Sequence, residues 1–346
     1  MLGILVVKSA VRGNTSNHDA WQKQIIWAGI GIVLMLLASA IDYRAFARQR
    51  RPMYWATVFL LVAVLFLTPA IKGSHRWFLL GPFSFQPSEF AKVLIAATLA
   101  GQLVALGSSV RGLGGVVPTL LHIGLPCLLI LKEPDLGTCL CLVAIWFALL
   151  FFAGTRAINL ILVLLVFAGG FTLLWKMDFI KDYQKSRLTA FMSQSDDPQG
   201  ESYQVTQSKI AIGSGGLHGK GLFHGPQGQL QFIPEQHTDF IFTVVGEELG
   251  FGGSAATIIL FGFLLWRGMR IALMAEDLYG KYLACAITAV IGFQVVVNVG
   301  MTLGIMPITG IPLPFMSYGG SSIWAFMLGI GLMQSVHRRA AGNLFS

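Results

Sequence analysis

Nine apolar runs, each about as long as a bilayer is thick, constrain this chain more than any other feature. A helix rises 1.5 Å per residue, so about 20 mainly apolar residues cross the hydrocarbon core. Such runs occupy residues 23–41, 54–71, 88–106, 116–131, 136–153, 157–175, 239–266, 282–305 and 320–336. Of the 346 residues, 55% are hydrophobic and 12% are charged; soluble domains carry about 25% charged residues. The runs are built of Phe, Leu, Gly and Ala without the alternation of a membrane β-barrel. The expected fold class is therefore all-α: a polytopic helical membrane protein, with one integral membrane domain over 1–346.

The net charge is +8, from 24 Lys+Arg against 16 Asp+Glu. Nucleic acid is excluded as a partner, because the cations cluster between apolar runs, where they orient a membrane protein. Arg44, Arg48, Arg50 and Arg51, then Arg111, Arg156, Arg267, Arg270 and Lys281, and last Arg338 and Arg339 all fall in alternate connections. That side is expected to be cytoplasmic. The segments 72–87, 132–135, 176–238 and 306–319 then face outward, and 176–238 is a long extracytoplasmic loop. Residues 1–7 are apolar but too short to cross, and are read as the tail of a truncated first helix; the alternative is nine spans with the N-terminus outside. Cys127, Cys139, Cys141 and Cys285 all lie within spans. They are read as small buried apolar residues, neither a disulfide framework nor a metal site.

Chemistry has to come from the outward segments and the helix ends beside them. Asp239 stands where the long loop meets an apolar run, and a carboxylate there loses hydration. One reading places it in the first turn of a helix, stabilised by the helix dipole. The other makes it a general base, whose proton affinity rises in apolar surroundings. Glu247 and Glu248 follow eight and nine residues later, about 12–14 Å deeper on a continuous helix, so neither forms a carboxylate pair with it. Glu89 and Lys92 are three residues apart and share a helix face behind Pro87 and Ser88. They form either a self-compensating ion pair or a cation held at membrane depth for an anionic head group. Arg76 precedes them. Asp135, in the turn after Glu133 and Pro134, either caps the next helix or joins the site.

Residues 207–221 are rich in glycine and carry Lys209 and Lys220. This is not a Walker A loop: Ser214 stands where its first glycine belongs, and Gly221 replaces its Ser/Thr. The two lysines are either diphosphate contacts or solvated charges on a flexible loop. Pro307, Pro312 and Pro314 forbid regular helix before Ser317. Irregular backbone near membrane depth is tolerated where it is buried in protein or lines a wet cavity.

Taken together, these stretches resemble the SEDS family (shape, elongation, division and sporulation). The resemblance runs through Arg76-Trp77, Gln86-Pro87-Ser88-Glu89 with Lys92, Pro134-Asp135-Leu136-Gly137, residues 207–221, residues 234–242, Glu247-Glu248-Leu249-Gly250 and residues 312–321. Residues 207–213 and 219–221 look more like the elongation branch than the septal one. The resemblance implies the SEDS fold, with nine to ten transmembrane helices. It implies peptidoglycan glycosyltransferase activity on lipid II at the outer face of the bacterial cytoplasmic membrane, within the elongation machinery. Asp239 is the implied general base; Arg76, Glu89, Lys92, Asp135, Lys209, Lys220 and Ser317 are the implied substrate-binding residues. The usual partner is a class B penicillin-binding protein. No cofactor is certain; a divalent cation, Mg or Mn, is compatible, with ligands unknown. The rival expectations are a lipid II flippase and a non-enzymatic scaffold for the penicillin-binding protein.

Overall fold

The computed structural model describes residues 1–13, 19–69, 74–81, 83–176, 201–226, 233 and 235–342. The helices are α1 (Leu2–Ala10), α2 (Ala20–Ala40), α3 (Tyr43–Arg48), α4 (Arg50–Leu67), α5 (Pro87–Leu106), α6 (Leu113–Lys132), α7 (Leu136–Phe152), α8 (Ala157–Lys176), α9 (Glu201–Ser214), α10 (Ile241–Met274), α11 (Leu278–Thr302) and α12 (Gly320–Gly342). A two-stranded antiparallel hairpin, β1 (Phe78–Leu80) and β2 (Phe83–Phe85), precedes α5, with Phe78 opposite Phe85. All nine expected spans are helices. Among the described residues six are both long and apolar enough to cross a membrane, and Leu136–Phe152 and Ala157–Gly169 are shorter apolar helices. Of the expected loop 176–238, residues 177–200, 227–232 and 234 lie outside the described residues.

The chain forms two compact units. Unit 1 comprises Met1–Ile26, Leu165–Phe263 and Gln294–Gly319; unit 2 comprises Trp27–Leu164, Leu264–Phe293 and Gly320–Ser346.

Unit 2 is organised around α5. Pro87 opens this helix, where its missing N–H would have no partner in any case. Most of α5 is buried, including Ile95, Leu99 and Leu103. Two hydrogen bonds tie polar groups together inside the unit: Trp146 Nε1 donates to Thr119 Oγ1 (2.9 Å), and Tyr54 Oη donates to the His122 carbonyl (3.0 Å). At the α2–α4 connection, Asp277 accepts from Tyr43 (2.6 Å) and from Arg44 (2.9 Å), which also reaches Glu276 (2.8 Å). Burial, reinforced by Asp277, pushes the Tyr43 hydroxyl up to about 12.

Unit 1 departs from the sequence expectation at α10. The run 239–266 reads as one continuous helix, but Gly250 has φ +65° and ψ −161° and divides it into limbs 241–249 and 251–274. Such a break severs i→i−4 bonds, and an unpaired backbone group costs several kcal/mol in hydrocarbon. The segment after α9 repairs it. Lys220 N and Gly221 N donate to the Glu247 and Glu248 carbonyls (both 3.0 Å). Phe251 N and Gly252 N donate instead to the Gly216 and Leu217 carbonyls (2.8 and 3.2 Å). Four groups released by the break find four partners. Glycine is required on both sides, because a Cβ at Gly219 would lie 2.1 Å from the Glu248 oxygen and one at Gly250 2.3 Å from the Gly219 nitrogen. Glu247 and Glu248 thus stand at the end of the limb that follows Asp239, beside the break.

Candidate functional site

In unit 2 the polar residues form a chain of contacts at the start of α5. The helix places Glu89 and Lys92 on one face, and their side chains, 5% and 2% exposed, meet at 2.8 Å. Lys92 Nζ also lies 5.5 Å from the centroid of the Phe326 ring. Gln86 Nε2 donates to Ser88 Oγ (3.0 Å) and Asp135 Oδ2 (3.4 Å), and Gln86 N donates to Ser321 Oγ (2.9 Å). Asp135 caps α7 by accepting from Thr138 N (3.0 Å) and Thr138 Oγ1 (2.9 Å). The Arg76 guanidinium donates to the Glu133 carbonyl (2.6 Å) and to that of Pro134, holding the turn from its own side. Glu133 is fully buried, and neither of its side-chain oxygens meets a hydrogen-bond partner among the described residues. Burial, with the Asp135 charge adding to it and Arg76 opposing, pushes this carboxyl up to about 9. Glu133 is thus a neutral acid at pH 7.

Unit 1 holds Asp239, Lys209, Lys220 and Ser317. Asp239 is half-buried in the turn before α10, with its N–H on the Glu235 carbonyl (3.0 Å). It precedes the first helical residue, Ile241, so the turn holds it and not the first turn of the helix. Asn298 Nδ2 donates to both the Asp239 carbonyl and the Ile311 carbonyl, each at 2.8 Å. Tyr318 N donates to the His237 carbonyl (2.9 Å), two residues before Asp239. Ser317 Oγ accepts from Leu313 N (2.8 Å), and the Ser317 carbonyl accepts from Gln24 Nε2 (2.9 Å). The proline-rich segment is therefore a bonded structure, tied both to the Asp239 turn and to α2.

The two loop lysines differ. Lys209 is exposed on α9, beside Ser208, which bonds Thr243 Oγ1 (2.7 Å) and the Thr302 carbonyl (2.8 Å). Lys220 Nζ meets Glu247 Oε1 at 2.9 Å. Two residues central to this geometry escape a search for charge, Asn298 and Gln24. Asn298 was detectable as an amide inside an apolar run, where a polar side chain has to find partners. Among the described residues no three His, Cys, Asp or Glu converge as metal donors.

Bilayer-length helices, a lysine–glutamate pair buried in one of them and a carboxylate turn ahead of a broken helix define a polytopic membrane protein with polar residues held among apolar spans. The family model FtsW/RodA/SpoVE, described as a cell cycle protein, matches residues 1–342, and the chain belongs to that family. It is 37% identical to stage V sporulation protein E of Bacillus subtilis (strain 168), over 97% of this chain and 93% of that protein. It is also 37% identical to the peptidoglycan glycosyltransferase MrdB of Escherichia coli (strain K12), over 97% and 91%. Among solved structures it resembles a chain from a study described as structural coordination of polymerization and crosslinking by a peptidoglycan synthase complex. That match has a TM-score of 0.83 and 34% identity, over 98% of this chain and 94% of that one. The rod shape determining protein RodA of Thermus thermophilus matches with a TM-score of 0.68 and 30% identity, over 97% and 92%. The SEDS resemblance and the all-α membrane fold read from the sequence are both borne out.

Proposed function

We propose that this chain is a peptidoglycan glycosyltransferase that polymerises lipid II, with Asp239 as general base. The observation that carries the reading is the fixing of Asp239. Its carbonyl, its N–H and the neighbouring His237 carbonyl are all bonded, so the carboxylate is presented from a rigid turn. Support for the activity comes from the relatives named peptidoglycan glycosyltransferases.

In the proposed step, Asp239 takes the proton of the acceptor sugar's 4-hydroxyl as that oxygen bonds to the donor's anomeric carbon. The bond from that carbon to the lipid diphosphate breaks, and the diphosphate leaves with the electron pair and with inversion. No covalent enzyme intermediate is needed. Of the three cations the sequence singles out for the diphosphate, Lys209, in the same unit as Asp239, is assigned to its growing charge, whereas Arg76 holds the 133–134 turn and Lys92 is buried against Glu89. Lys209 suits this best, being exposed and without a carboxylate partner among the described residues. Glu89, Asp135, Lys220 and Ser317 are assigned to substrate binding; Lys220, already paired with Glu247, comes second to Lys209. Among the described residues no set of His, Cys, Asp or Glu side chains fits a divalent cation, and none is given a part in the step.

The arginine-rich connections support a cytoplasmic membrane location with Asp239 facing outward. Residues 207–213 and 219–221 support the elongation branch, and the synthase-complex neighbour supports a class B penicillin-binding protein as partner. Purified protein given lipid II in detergent, where transport is impossible, tests the reading. Asp239→Asn is expected to lose about 100-fold or more of chain formation while keeping the wild-type elution profile and Tm. Undiminished polymerisation by this variant sinks the general base. Absence of activity in the wild type, with and without its partner, favours a flippase if proteoliposomes move the lipid and a scaffold if they do not.

A further inference from the structure

We infer that a cavity in unit 1, lined by Lys8, Val11, Arg12, Trp21 and Phe223, is a binding site for a phosphate anion of the kind carried by a membrane lipid head group. The cavity measures about 470 Å³, within the range of small-ligand pockets. Lys8 lies in the last turn of α1, and Arg12 follows four residues later, just past the helix. Lys8 Nζ is 4.7 Å from the centroid of the Trp21 ring and 5.8 Å from that of Phe223. The Arg12 guanidinium is 5.9 Å from the Phe223 ring and donates to the Phe223 carbonyl (3.3 Å). Two cations thus share two aromatic walls, and among the described residues no ion pair neutralises either of them.

The simpler explanation is that Lys8 and Arg12 serve the C-terminus of α1, whose carbonyls favour cations. Their head groups argue otherwise. Lys8 Nζ stands over the rings of Trp21 and Phe223 and the Arg12 guanidinium over that of Phe223, and both side chains line a space large enough for a ligand. Ring faces attract cations but leave their charge uncompensated; a phosphate accepts hydrogen bonds from both lysine and arginine. The apolar walls suit a phosphate attached to an apolar body more than a free ion. Trp21 is in the first turn of α2, a bilayer-length helix, and tryptophan at the end of a span marks the head-group level.

An occupant would touch the loop that repairs the α10 break. Phe223 lies two residues after Gly221, whose N–H bonds the Glu248 carbonyl, and Ser9 Oγ, next to Lys8, donates to Glu248 Oε1. The site stands apart from the glycosyl-transfer reading and survives its failure.

The test uses the full chain in phosphatidylcholine nanodiscs containing phosphatidylglycerol as the minor lipid. Native mass spectrometry counts the phosphatidylglycerol retained by the wild type and by Lys8→Gln/Arg12→Gln. A parallel titration with glycerol 3-phosphate in pure phosphatidylcholine discs follows Trp21 fluorescence, isolated by subtracting a Trp21→Phe variant. The wild type is expected to retain phosphatidylglycerol about tenfold better than the double variant, two charged contacts being lost. A response to glycerol 3-phosphate alone, absent from the double variant, supports the site with a soluble phosphate as its source. No difference in either arm overturns the inference. Should the double variant not fold, Arg12→Glu takes its place, and equal behaviour of that variant and the wild type overturns it equally.

Discussion

The Glu89–Lys92 and Glu247–Lys220 pairs have nearly the same length, 2.8 and 2.9 Å, and opposite construction. The first joins residues three apart on one helix and is almost wholly shielded from water. It forms as soon as α5 forms. The second joins residues 27 apart; its glutamate is fully buried while its lysine is 28% exposed. It exists only when the loop after α9 has docked on α10. A local pair is a fixed property of its helix, whereas a pair closed across a loop reports whether that loop is in place.

The largest effect on stability should follow Lys92→Met, which leaves Glu89 charged and buried. The expected loss is about 3–5 kcal/mol, read as thermal unfolding in detergent. Adding Glu89→Gln should return most of that loss, because no unpaired charge remains. Lys220→Met should cost less, about 1–3 kcal/mol, since four main-chain bonds still hold the loop. Equal losses at the two sites would break the comparison. Limited proteolysis sharpens it: cleavage within 215–225 should speed up in Lys220→Met and stay unchanged in Lys92→Met.

Glu133 gives a pH signature confined to unit 2. Its folded value is raised to about 9, against about 4.3 in an unfolded chain. Between those values the folded state binds a proton that the unfolded state releases. The contribution of this group is therefore fully present below about pH 4.3 and is lost as pH rises through about 9. Glu133→Gln should flatten the fall of Tm with rising pH over that window. A slope identical to the wild type would show that the carboxyl ionises freely. The smallest expected effect is Asp135→Ala, about 0.5–2 kcal/mol for loss of the α7 cap, again by thermal unfolding.

What the sequence made legible is what short-range chemistry decides. The nine apolar runs became helices, Pro87 opened α5, and Glu89 faced Lys92 because three residues on a helix share a face. Asp135 appears as a cap because its partner is three residues away. The partner of Glu247 was not legible, since Lys220 is 27 residues earlier and reaches it only after a helix breaks. Gly250 is legible in the sequence only as the end of the Glu247-Glu248-Leu249-Gly250 stretch; its positive φ goes with the backbone that docks there. Nor could the sequence show Asn298 holding the Asp239 turn from 59 residues away.

The repair at Gly250 also sets an order of assembly. The ribosome releases residues 215–221 before residues 246–252, so the patch is made before the gap it fills. As the second limb of α10 enters the bilayer, its free N–H groups find acceptors already synthesised and close by. Gly250→Ala would disfavour the break itself, and a helix continuous through that point would leave the earlier segment without its partners. The fault is thus felt first in biogenesis, as a loop with nowhere to dock, before any substrate is met.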